Sequence, residues 1–312
     1  MMMQLFYILI FPGFLFLYLM SFILEYEDRI IYARLQNRKG PPLFQPLADF
    51  IKLLAKEDIV PECADKKIFK LMPMIALTAV VTSFFYIPIW GVNSLYPFKG
   101  DLIVVLYLLT IPTVTFFLAG WSSTSLYSTI GAVRTLTQLF SYEVLLFLSV
   151  LSPAMLADSW SLGDMASFYN ERPAMMLFNI VAFGMSLVAM LGKLEKVPFD
   201  IAEAETEIVG GTFTEYSGRL FAFFRMAINM EMVVGASLIA AVFLPFGLTL
   251  DPVYGFMLYI VKVFFVIFFL SVGRTVFARL RIDQMVSVCW KYFAPIAFAQ
   301  IVLILIVKGV VL

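Results

Sequence analysis

The chain has 312 residues, of which 62% are hydrophobic and 14% charged, with 22 basic and 22 acidic side chains. This composition, with a mean hydropathy of +0.94, indicates an integral membrane protein rather than a soluble one. The net charge of zero gives no reason to expect nucleic-acid binding. Histidine is absent and Cys63 and Cys289 stand alone, so no Ser-His nucleophile, metal site, iron–sulfur motif or catalytic residue is predicted.

Apolar segments long enough to cross a bilayer as helices recur eight times along the chain. The first has no basic residues ahead of it and no small-residue cleavage site after it, which indicates a retained span. The predicted spans are 4–24, 71–91, 102–121, 136–156, 174–193, 219–246, 254–273 and 289–308. We therefore expect an all-α polytopic membrane protein in which 1–312 form a single transmembrane domain.

The distribution of Lys and Arg predicts the orientation of the chain in the cell membrane. The connecting segments on one side carry 17 of these residues, whereas those on the other side carry three. The richer segments are 25–70, 122–135, 193–219 and 274–291. Because basic loops stay in the cytoplasm, both termini are predicted to lie outside.

The first cytoplasmic segment, 25–70, has the pattern of an amphipathic surface helix. Its apolar residues recur at helical spacing at Leu47, Phe50, Ile51, Leu53 and Leu54. Asp49, Lys52 and Lys56 fall on the other side. A helix that lies in the membrane interface without a further role would have the same pattern.

Four ionisable side chains fall inside the predicted spans, where an unpaired charge costs at least ~2.5–3.5 kcal/mol. They are Glu143, Arg225, Glu231 and Lys262. The predicted helix starts put Glu143 and Arg225 at similar depth, so the two could form an ion pair. Glu231 and Lys262, near the middle of their spans, could pair likewise. The carboxylates belong either to static pairs that hold helices in register or to a chain of protonatable groups.

The segment Lys193–Arg219, called the acidic loop below, holds six of the 22 carboxylates. Asp200 is predicted as the N-cap of a short helix, with Glu203 as its capping-box partner and Gly210 at its end. On such a helix Glu203 and Glu207 share one face. A solvated surface loop is the alternative interpretation.

Two motifs link these segments to a known family. The acidic loop contains E-x-x-P-F-D-x-x-E-A-E-x-E-x-x-x-G-x-x-x-E-Y-S, beginning at Glu195 and ending at Ser217. The first segment contains A-R-x-Q-x-R-x-G-P from Ala33 to Pro41, followed by Q-P-x-A-D from Gln45. Both resemble the H subunit of respiratory complex I, also called NADH-ubiquinone oxidoreductase chain 1, and related subunits of membrane-bound hydrogenases.

One departure from complex I concerns the electron acceptor. Pro42 follows Gly40-Pro41 directly, whereas complex I has an Asn and a short insert there. The shortened form resembles archaeal membrane-bound hydrogenases and sulfane-sulfur reductases, and it would alter a segment that shapes the quinone entrance. The Q-x-x-S-Y-E motif from Gln138 to Glu143, by contrast, resembles complex I itself.

The resemblance implies a membrane-anchoring and coupling subunit with no redox centre or other cofactor of its own. It would link electron transfer in a peripheral iron–sulfur arm, of ferredoxin-dependent hydrogenase or sulfane-sulfur reductase type, to proton or sodium translocation through antiporter-like membrane subunits. Two alternatives stay open: a quinone-reducing NADH dehydrogenase in which this subunit forms part of the quinone site, and a stand-alone ion transporter. The absence of repeated halves weakens the second.

The resemblance also assigns site residues. The predicted ion-coupling residues are Glu143, Asp200, Glu203, Glu205, Glu207, Glu215 and Glu231. Arg225 and Lys262 are predicted to form the intramembrane pairs. The predicted peripheral-arm interface comprises Arg34, Gln36, Arg38, Lys39 and Asp49. The three basic residues of this set could instead hold the acidic loop.

Overall fold

The computed structural model describes residues 2–247 and 251–311, and in this part of the chain every regular element is helical. The α-helices are α1 Met2–Leu9, α2 Phe14–Leu35, α3 Gln45–Leu54, α4 Lys66–Phe84, α5 Asp101–Ser122, α6 Leu126–Ala157, α7 Leu162–Glu171, α8 Ile180–Lys193, α9 Glu205–Ile208, α10 Gly218–Phe243, α11 Pro252–Val276, α12 Ile282–Val288 and α13 Ala294–Val311. A 3-10 helix, Pro173–Asn179, leads into α8, and a π-helical turn, Cys289–Phe293, joins α12 to α13.

Eight helical stretches of the described residues are long and apolar enough to cross a membrane, which confirms the predicted number. They are Phe6–Leu35, Lys66–Phe84, Asp101–Ser122, Leu126–Ala157, Pro173–Lys193, Gly218–Phe243, Pro252–Val276 and Ile282–Val310. The all-α fold class is likewise confirmed.

Several helix ends differ from the predicted ones. The second span begins earlier than 71 because Asp65 caps α4, where its carboxylate accepts hydrogen bonds from the N–H groups of Lys67 and Ile68. The fourth span begins at Leu126 rather than at 136. At 32 residues, α6 is about 48 Å long, so it extends beyond a hydrocarbon core of about 30 Å. The hydropathy pattern detects only its apolar part.

The first cytoplasmic segment is more helical than predicted. The helix α2 continues to Leu35, so the beginning of the predicted loop is a helical extension of the first span. The predicted amphipathic helix is confirmed as α3, which packs on α2 and α10. Phe50 contacts Tyr18 and Phe22 of α2, whereas the neighbouring Ile51 is exposed.

The helix α10 lies at the centre of the bundle, packed against α2, α3, α4 and α11. Most of its residues are buried by the rest of the chain, including a continuous run from Met230 to Phe243. A second group of contacts joins α6 to α5, α8 and α13. Glu231 on α10 and Glu143 on α6 are therefore surrounded by protein.

The acidic loop does not form the predicted helix. Between α8 and α10 it contains one α-helical turn, α9, and a short 3-10 helix, Gly211–Phe213, and Ala204 occupies the N-cap position of α9 without a side-chain hydrogen bond. Asp200 lies in a turn and its carboxylate is 3.8 Å from the Arg279 guanidinium, so it does not act as the predicted cap. This ion pair explains why the local capping pattern was misleading.

Two glycines fix the acidic loop against α6. Gly211 has φ +54°, and a Cβ there would lie 1.8 Å from the carbonyl oxygen of Ala202. A Cβ at Gly131 in α6 would lie 2.5 Å from the backbone nitrogen of Thr212. Neither position accommodates a side chain without backbone movement. The backbone of the loop at Gly211 and Thr212 therefore packs directly against α6 at Gly131.

Candidate functional site

A cavity of about 490 Å³, here called the inner cavity, opens between α2, α10, α11 and the first half of the acidic loop. Charged side chains dominate its wall. The acidic ones are Glu25, Asp28, Glu195, Asp200, Glu203 and Glu231. The basic ones are Arg29, Lys193, Lys196, Arg225, Arg274 and Arg279. Six formal charges of each sign therefore face one space.

A smaller cavity of about 250 Å³, the outer cavity, lies between α2, α3 and α10. Its wall combines charged residues with apolar ones such as Phe22, Phe50 and Phe221. It shares Arg225 and Asn229 with the inner cavity, and also Glu25 and Arg29. Glu25 and Arg29 form an ion pair with each other, so a charged partition stands between the two spaces.

Asp28 joins three elements around the inner cavity. This buried carboxylate accepts hydrogen bonds from Lys196 Nζ at 2.6 Å, Arg274 Nη1 at 2.9 Å and Ser271 Oγ at 2.6 Å. The Arg274 guanidinium also lies 4.3 Å from the ring centroid of Tyr32. Asp28 thus connects α2, α11 and the acidic loop, and two cations compensate its burial.

The ammonium of Lys193, at the end of α8, is buried where the inner cavity meets the bundle. Its Nζ lies 3.2 Å from Glu231 Oε1 and donates to the carbonyl oxygen of Leu109 at 2.5 Å. It also lies 5.5 Å from the ring centroid of Tyr142. Glu143, the next residue in α6, is buried, and its carboxyl oxygens receive no hydrogen bond from the described residues.

The predicted pair between Glu143 and Arg225 is wrong. Glu143 lies near the middle of α6, whereas Arg225 lies about two turns into α10 and is half exposed. The Arg225 guanidinium is 3.9 Å from Glu203 and 5.5 Å from the Phe221 ring centroid. The prediction failed because α6 begins ten residues earlier than its apolar segment, which changes the depth assigned to Glu143.

The predicted pair between Glu231 and Lys262 is also wrong. Glu231 contacts Lys193 instead. The Lys262 ammonium donates to the backbone carbonyl of Phe246 and lies 4.5 Å from its ring centroid. A carbonyl and an aromatic ring can stabilise an ammonium without a carboxylate.

The other loop carboxylates have separate surroundings. Glu207 is 2.6 Å from Arg134 of α6, and that hydrogen bond and charge lower the pKa of Glu207. Glu203 and Glu207 therefore do not act as one pair on a helix face. Glu215 is half-buried, and the side chain of Glu205 lies outside the described part of the structure.

Glu195, near the start of the acidic loop, lines the inner cavity and lies within electrostatic reach of the buried Glu231. Its backbone has φ +50°, an uncommon conformation for a residue with a side chain. Burial raises its pKa well above the usual value, and the carboxylates of Glu203, Glu231 and Asp200 raise it further. A carboxyl group with a pKa raised by burial and by neighbouring carboxylates is a candidate proton carrier.

The residues of the predicted arm interface lie in two settings. Arg34, Arg38 and Lys39 have no ion-pair partner among the described residues, and Gln36 lies beside them at the end of α2. Asp49 is engaged within the chain, 3.1 Å from Arg29 and 2.9 Å from the amide nitrogen of Gln45. The structure therefore does not bring all five together as one free surface.

Several site residues escaped the sequence analysis as individual candidates. The charged residues at the ends of apolar segments are interpreted as loop residues, or are used only to predict the orientation of the chain. They are Asp28, Lys193, Lys196 and Arg274. Glu195 was recognised only as part of a motif. The lysine spacing Lys193-x-x-Lys196 directly after a predicted span is the signal that could have suggested inward-facing cations.

The fold and the charged cavity define a class of protein. The chain is similar to a subunit in the structure of the membrane-bound sulfane sulfur reductase, described as an archaeal respiratory membrane complex, with a TM-score of 0.84 and 25% identity. The match covers 93% of this chain and 96% of that one. The protein is a multi-pass membrane subunit of a complex-I-related respiratory enzyme, and this fits the matches better than a self-sufficient transporter does.

The family model described as NADH dehydrogenase matches residues 7–305. The H subunit of NADH-quinone oxidoreductase from Carboxydothermus hydrogenoformans is 34% identical over 92% of this chain and 84% of its own length. The corresponding subunit from Thermus thermophilus, numbered 8 in that enzyme, is 35% identical over 86% of this chain and 78% of its own. The chain therefore belongs to the NADH dehydrogenase family, that of the H subunit of complex I, as its motifs predicted.

Proposed function

We propose that this chain is the coupling subunit of an enzyme of the ferredoxin-dependent hydrogenase or sulfane-sulfur reductase type. It anchors a hydrogenase-like peripheral arm that carries the iron–sulfur clusters, and it contacts antiporter-like membrane subunits that translocate protons or sodium ions. The chain is a single transmembrane domain with both termini outside the cell membrane. Its own residues bind the arm and move protons, and they carry no electrons.

The observation that carries this proposal is a series of charged groups that runs from the acidic loop into the bundle. Asp200 and Glu203 line the inner cavity at the loop, and Glu195 lies deeper in its wall. Glu231 and then Glu143 follow, buried within α10 and α6. Carboxyl groups at these depths are costly and mark ion or proton paths in membrane proteins.

Coupling requires an element that changes state when the arm turns over. The acidic loop is that element in this proposal, because it contacts α6 through Glu207 and Arg134 and the 277–281 segment through Asp200 and Arg279. A new charge or proton in the arm rearranges these ion pairs. Glu215, half-buried in the loop, takes part as a carboxylate facing the arm, and Glu205 is included in the proposal from the sequence motif alone.

The basic residues of the first segment supply the arm contact. These residues lie around the end of α2: Arg34 is in its last turn, Gln36 is its C-cap, and Arg38 and Lys39 come just after it. Without an ion-pair partner among the described residues, they are available to carboxylates of a partner subunit. Asp49 acts indirectly, because it holds Arg29 at the partition between the cavities.

The experiment compares Glu231→Gln and Glu143→Gln in the intact complex, reconstituted in proteoliposomes with reduced ferredoxin as donor. Each variant is expected to lower ion uptake at least about tenfold, a loss within the range of a positioned proton-transfer group. Glu171→Gln, an exposed carboxylate at the end of α7, is the matched control and should pump normally. Normal pumping by both buried variants would refute the proposal.

A second candidate function is quinone reduction with the quinone bound between this subunit and the arm. The relatives named NADH-quinone oxidoreductase favour it, and so does the outer cavity, whose partly apolar wall leads to the inner one. The charged wall of the inner cavity favours it less, because small-molecule sites are mostly apolar with few polar groups.

The acceptor decides between the two candidates. The purified complex is given reduced ferredoxin or a nicotinamide dinucleotide, with a short-chain quinone, polysulfide or protons as acceptor. Hydrogen or sulfide formation without quinone reduction is expected. Quinone reduction at a rate that accounts for the donor consumed would assign the chain to a quinone reductase.

A further inference from the structure

Two buried carboxyl groups share one buried ammonium at the end of the inner cavity. Lys193 Nζ lies 3.2 Å from Glu231, and it is within electrostatic reach of Glu143 as well. Glu231 and Glu143 also act electrostatically on each other. The three side chains come from α8, α10 and α6 and form what is here called the buried trio.

The charges of the buried trio balance only when one carboxyl group is protonated. An ionised carboxylate without a partner is strongly disfavoured in a protein interior, and like charges repel there more than in water. One ammonium neutralises one carboxylate. In the structure the ammonium is at Glu231, while the Glu143 oxygens accept no hydrogen bond from the described residues.

The ammonium has polar surroundings that do not depend on either carboxylate. The carbonyl oxygen of Leu109 accepts from it at 2.5 Å, and the ring centroid of Tyr142 is 5.5 Å away. Tyr142 directly precedes Glu143, and its hydroxyl group is held by Thr113 at 2.9 Å. A lysine has a flexible four-carbon stem, so its ammonium can change partner while keeping these contacts.

From this arrangement we infer that Lys193 is a positioning residue that moves its ammonium between Glu231 and Glu143 and so determines which of them holds the proton. The inference rests on the proposed function and specifies how the proton crosses between α6 and α10. It assigns a role to a side chain at a span end, outside the carboxylate series.

The step conserves charge and protons. Glu143 begins protonated, and Glu231 begins ionised with the ammonium beside it. The O–H bond at Glu143 breaks and an O–H bond forms at Glu231, directly or through water, while the ammonium moves to the new Glu143 carboxylate. Glu195, which acts electrostatically on Glu231 from the cavity wall, exchanges the proton with the cavity side.

The test replaces Lys193 with Met in the intact complex and measures ion uptake in proteoliposomes beside Glu231→Gln and Glu143→Gln. Lys193→Met is expected to lower ion uptake at least about tenfold, as loss of either transfer partner does. Lys262→Met is the matched control, since that ammonium is also within a span but contacts a backbone carbonyl and a ring. It should pump normally.

Infrared difference spectra between the oxidised and reduced complex give a readout that a purely structural lysine would not change. The unsubstituted complex should lose one protonated-carboxyl band and gain another. The lost band should be absent in Glu143→Gln and the gained band absent in Glu231→Gln. Both should be absent in Lys193→Met, although both glutamates are present there.

The outcomes separate this inference from the proposed function. Pumping that is lost in the Glu variants but kept in Lys193→Met overturns the inference and leaves the function standing. Pumping kept in all three variants overturns both. Loss of pumping with both infrared bands still present makes Lys193 a structural residue and overturns the inference.

An assembly defect in Lys193→Met would not prevent a decision. Lys193→Gln keeps a hydrogen-bond donor for the Leu109 carbonyl and removes the charge. It can therefore replace Lys193→Met in both measurements, with the same expected results. The infrared difference spectrum of the unsubstituted complex is also a test by itself. If the lost and gained carboxyl bands are both absent from it, no proton moves between Glu143 and Glu231 and the inference is wrong.

Discussion

At the scale of single residues, Asp28 is the carboxylate on which several partners around the inner cavity converge. Two cations and a hydroxyl group from outside α2 contact it. Removing one member of such a network leaves the others buried without compensation, which costs more than the net stabilisation that the network provides. Asp28 therefore holds the cavity wall together whether or not it moves a proton.

Asp28→Asn is expected to lower the free energy of unfolding by about 3–5 kcal/mol, because Lys196 and Arg274 then lack a counter-ion. The midpoint of denaturant unfolding of the purified complex measures this. Asp158→Asn is the control, because its partner Lys308 forms an exposed bridge that contributes at most about 1 kcal/mol. Equal effects of the two substitutions would show that Asp28 is not a structural centre.

Apart from Asp200 and Glu203, which the motif of the acidic loop identifies, the sequence predicts residues of this site where a charge interrupts an apolar segment. Glu143 and Glu231 are identified on that basis, since few other reasons place a carboxylate there. Their partners are not predictable in the same way. Lys193 lies at the last residue of α8, and only the packing of α8 against α6 and α10 turns it inward.

At the scale of helices, residues far apart in sequence fix the start of α10. The Asp58 carboxylate accepts from the backbone N–H of Arg219 at 2.6 Å and from its Nε at 2.8 Å. Ser217 adds a hydrogen bond to the carbonyl oxygen of Glu57 at 3.1 Å. The first segment thus caps the helix that follows the acidic loop, so the two motif segments are joined at this point.

Asp58→Ala is expected to lower the free energy of unfolding by about 1 kcal/mol, the usual effect of losing a helix cap. Burial raises the pKa of Asp58, but the hydrogen bonds from Arg219 outweigh burial and hold the pKa below its usual value. The stabilisation is therefore complete above about pH 4 and lost as pH falls through the lower folded-state pKa.

The pH dependence of thermal unfolding checks this prediction. The difference between the unsubstituted protein and Asp58→Ala should be constant at neutral pH and shrink in acid. Glu57→Ala is the control, because it keeps the backbone carbonyl that Ser217 contacts and removes only an exposed side chain. A difference that grows as pH falls would contradict the assigned sign.

The position of α3 depends on one aromatic face. Phe50→Ala removes contacts with Tyr18 and Phe22 and is expected to loosen the docking of α3 by about 2 kcal/mol. Amide hydrogen exchange over 45–54 should then become faster. Ile51→Ala changes the neighbouring, exposed residue and should leave that exchange unchanged. Similar exchange in both variants would mean that α3 is held mainly by lipid or a partner.

Helices are predictable from this sequence where one local signal decides them. The amphipathic pattern located α3, and hydropathy located all eight spans. The same approach failed at α9, where Asp200 has the local pattern of a cap but faces Arg279 from a segment about eighty residues away in sequence. A contact of that kind is absent from any local window.

At the scale of the whole molecule, the count of basic residues predicts that both termini lie outside and that the acidic loop lies in the cytoplasm. The eight candidate spans are consistent with this prediction, since an even number of spans places both ends of the chain on the same side of the membrane. The two cysteines offer a natural probe of this orientation, because Cys63 is exposed on the first segment and Cys289 is buried.

A membrane-impermeant maleimide is expected to modify Cys63 in inverted vesicles freed of peripheral subunits, and not in right-side-out vesicles. Cys63→Ser should abolish the labelling, since Cys289 is protected by burial. Mass spectrometry of the labelled peptide provides the measurement. Labelling of Cys63 from the outer face alone would reverse the proposed orientation.

The Lys193–Glu231 contact joins the end of α8 to the interior of α10, with the acidic loop between them. During biosynthesis the lysine is translated before the glutamate, so a counter-ion is already present when the charged span leaves the ribosome. If α8 and α10 enter the bilayer together as a hairpin, their opposite charges can meet and offset the cost of inserting either alone. The Lys193–Glu231 contact thus favours paired insertion of these two helices.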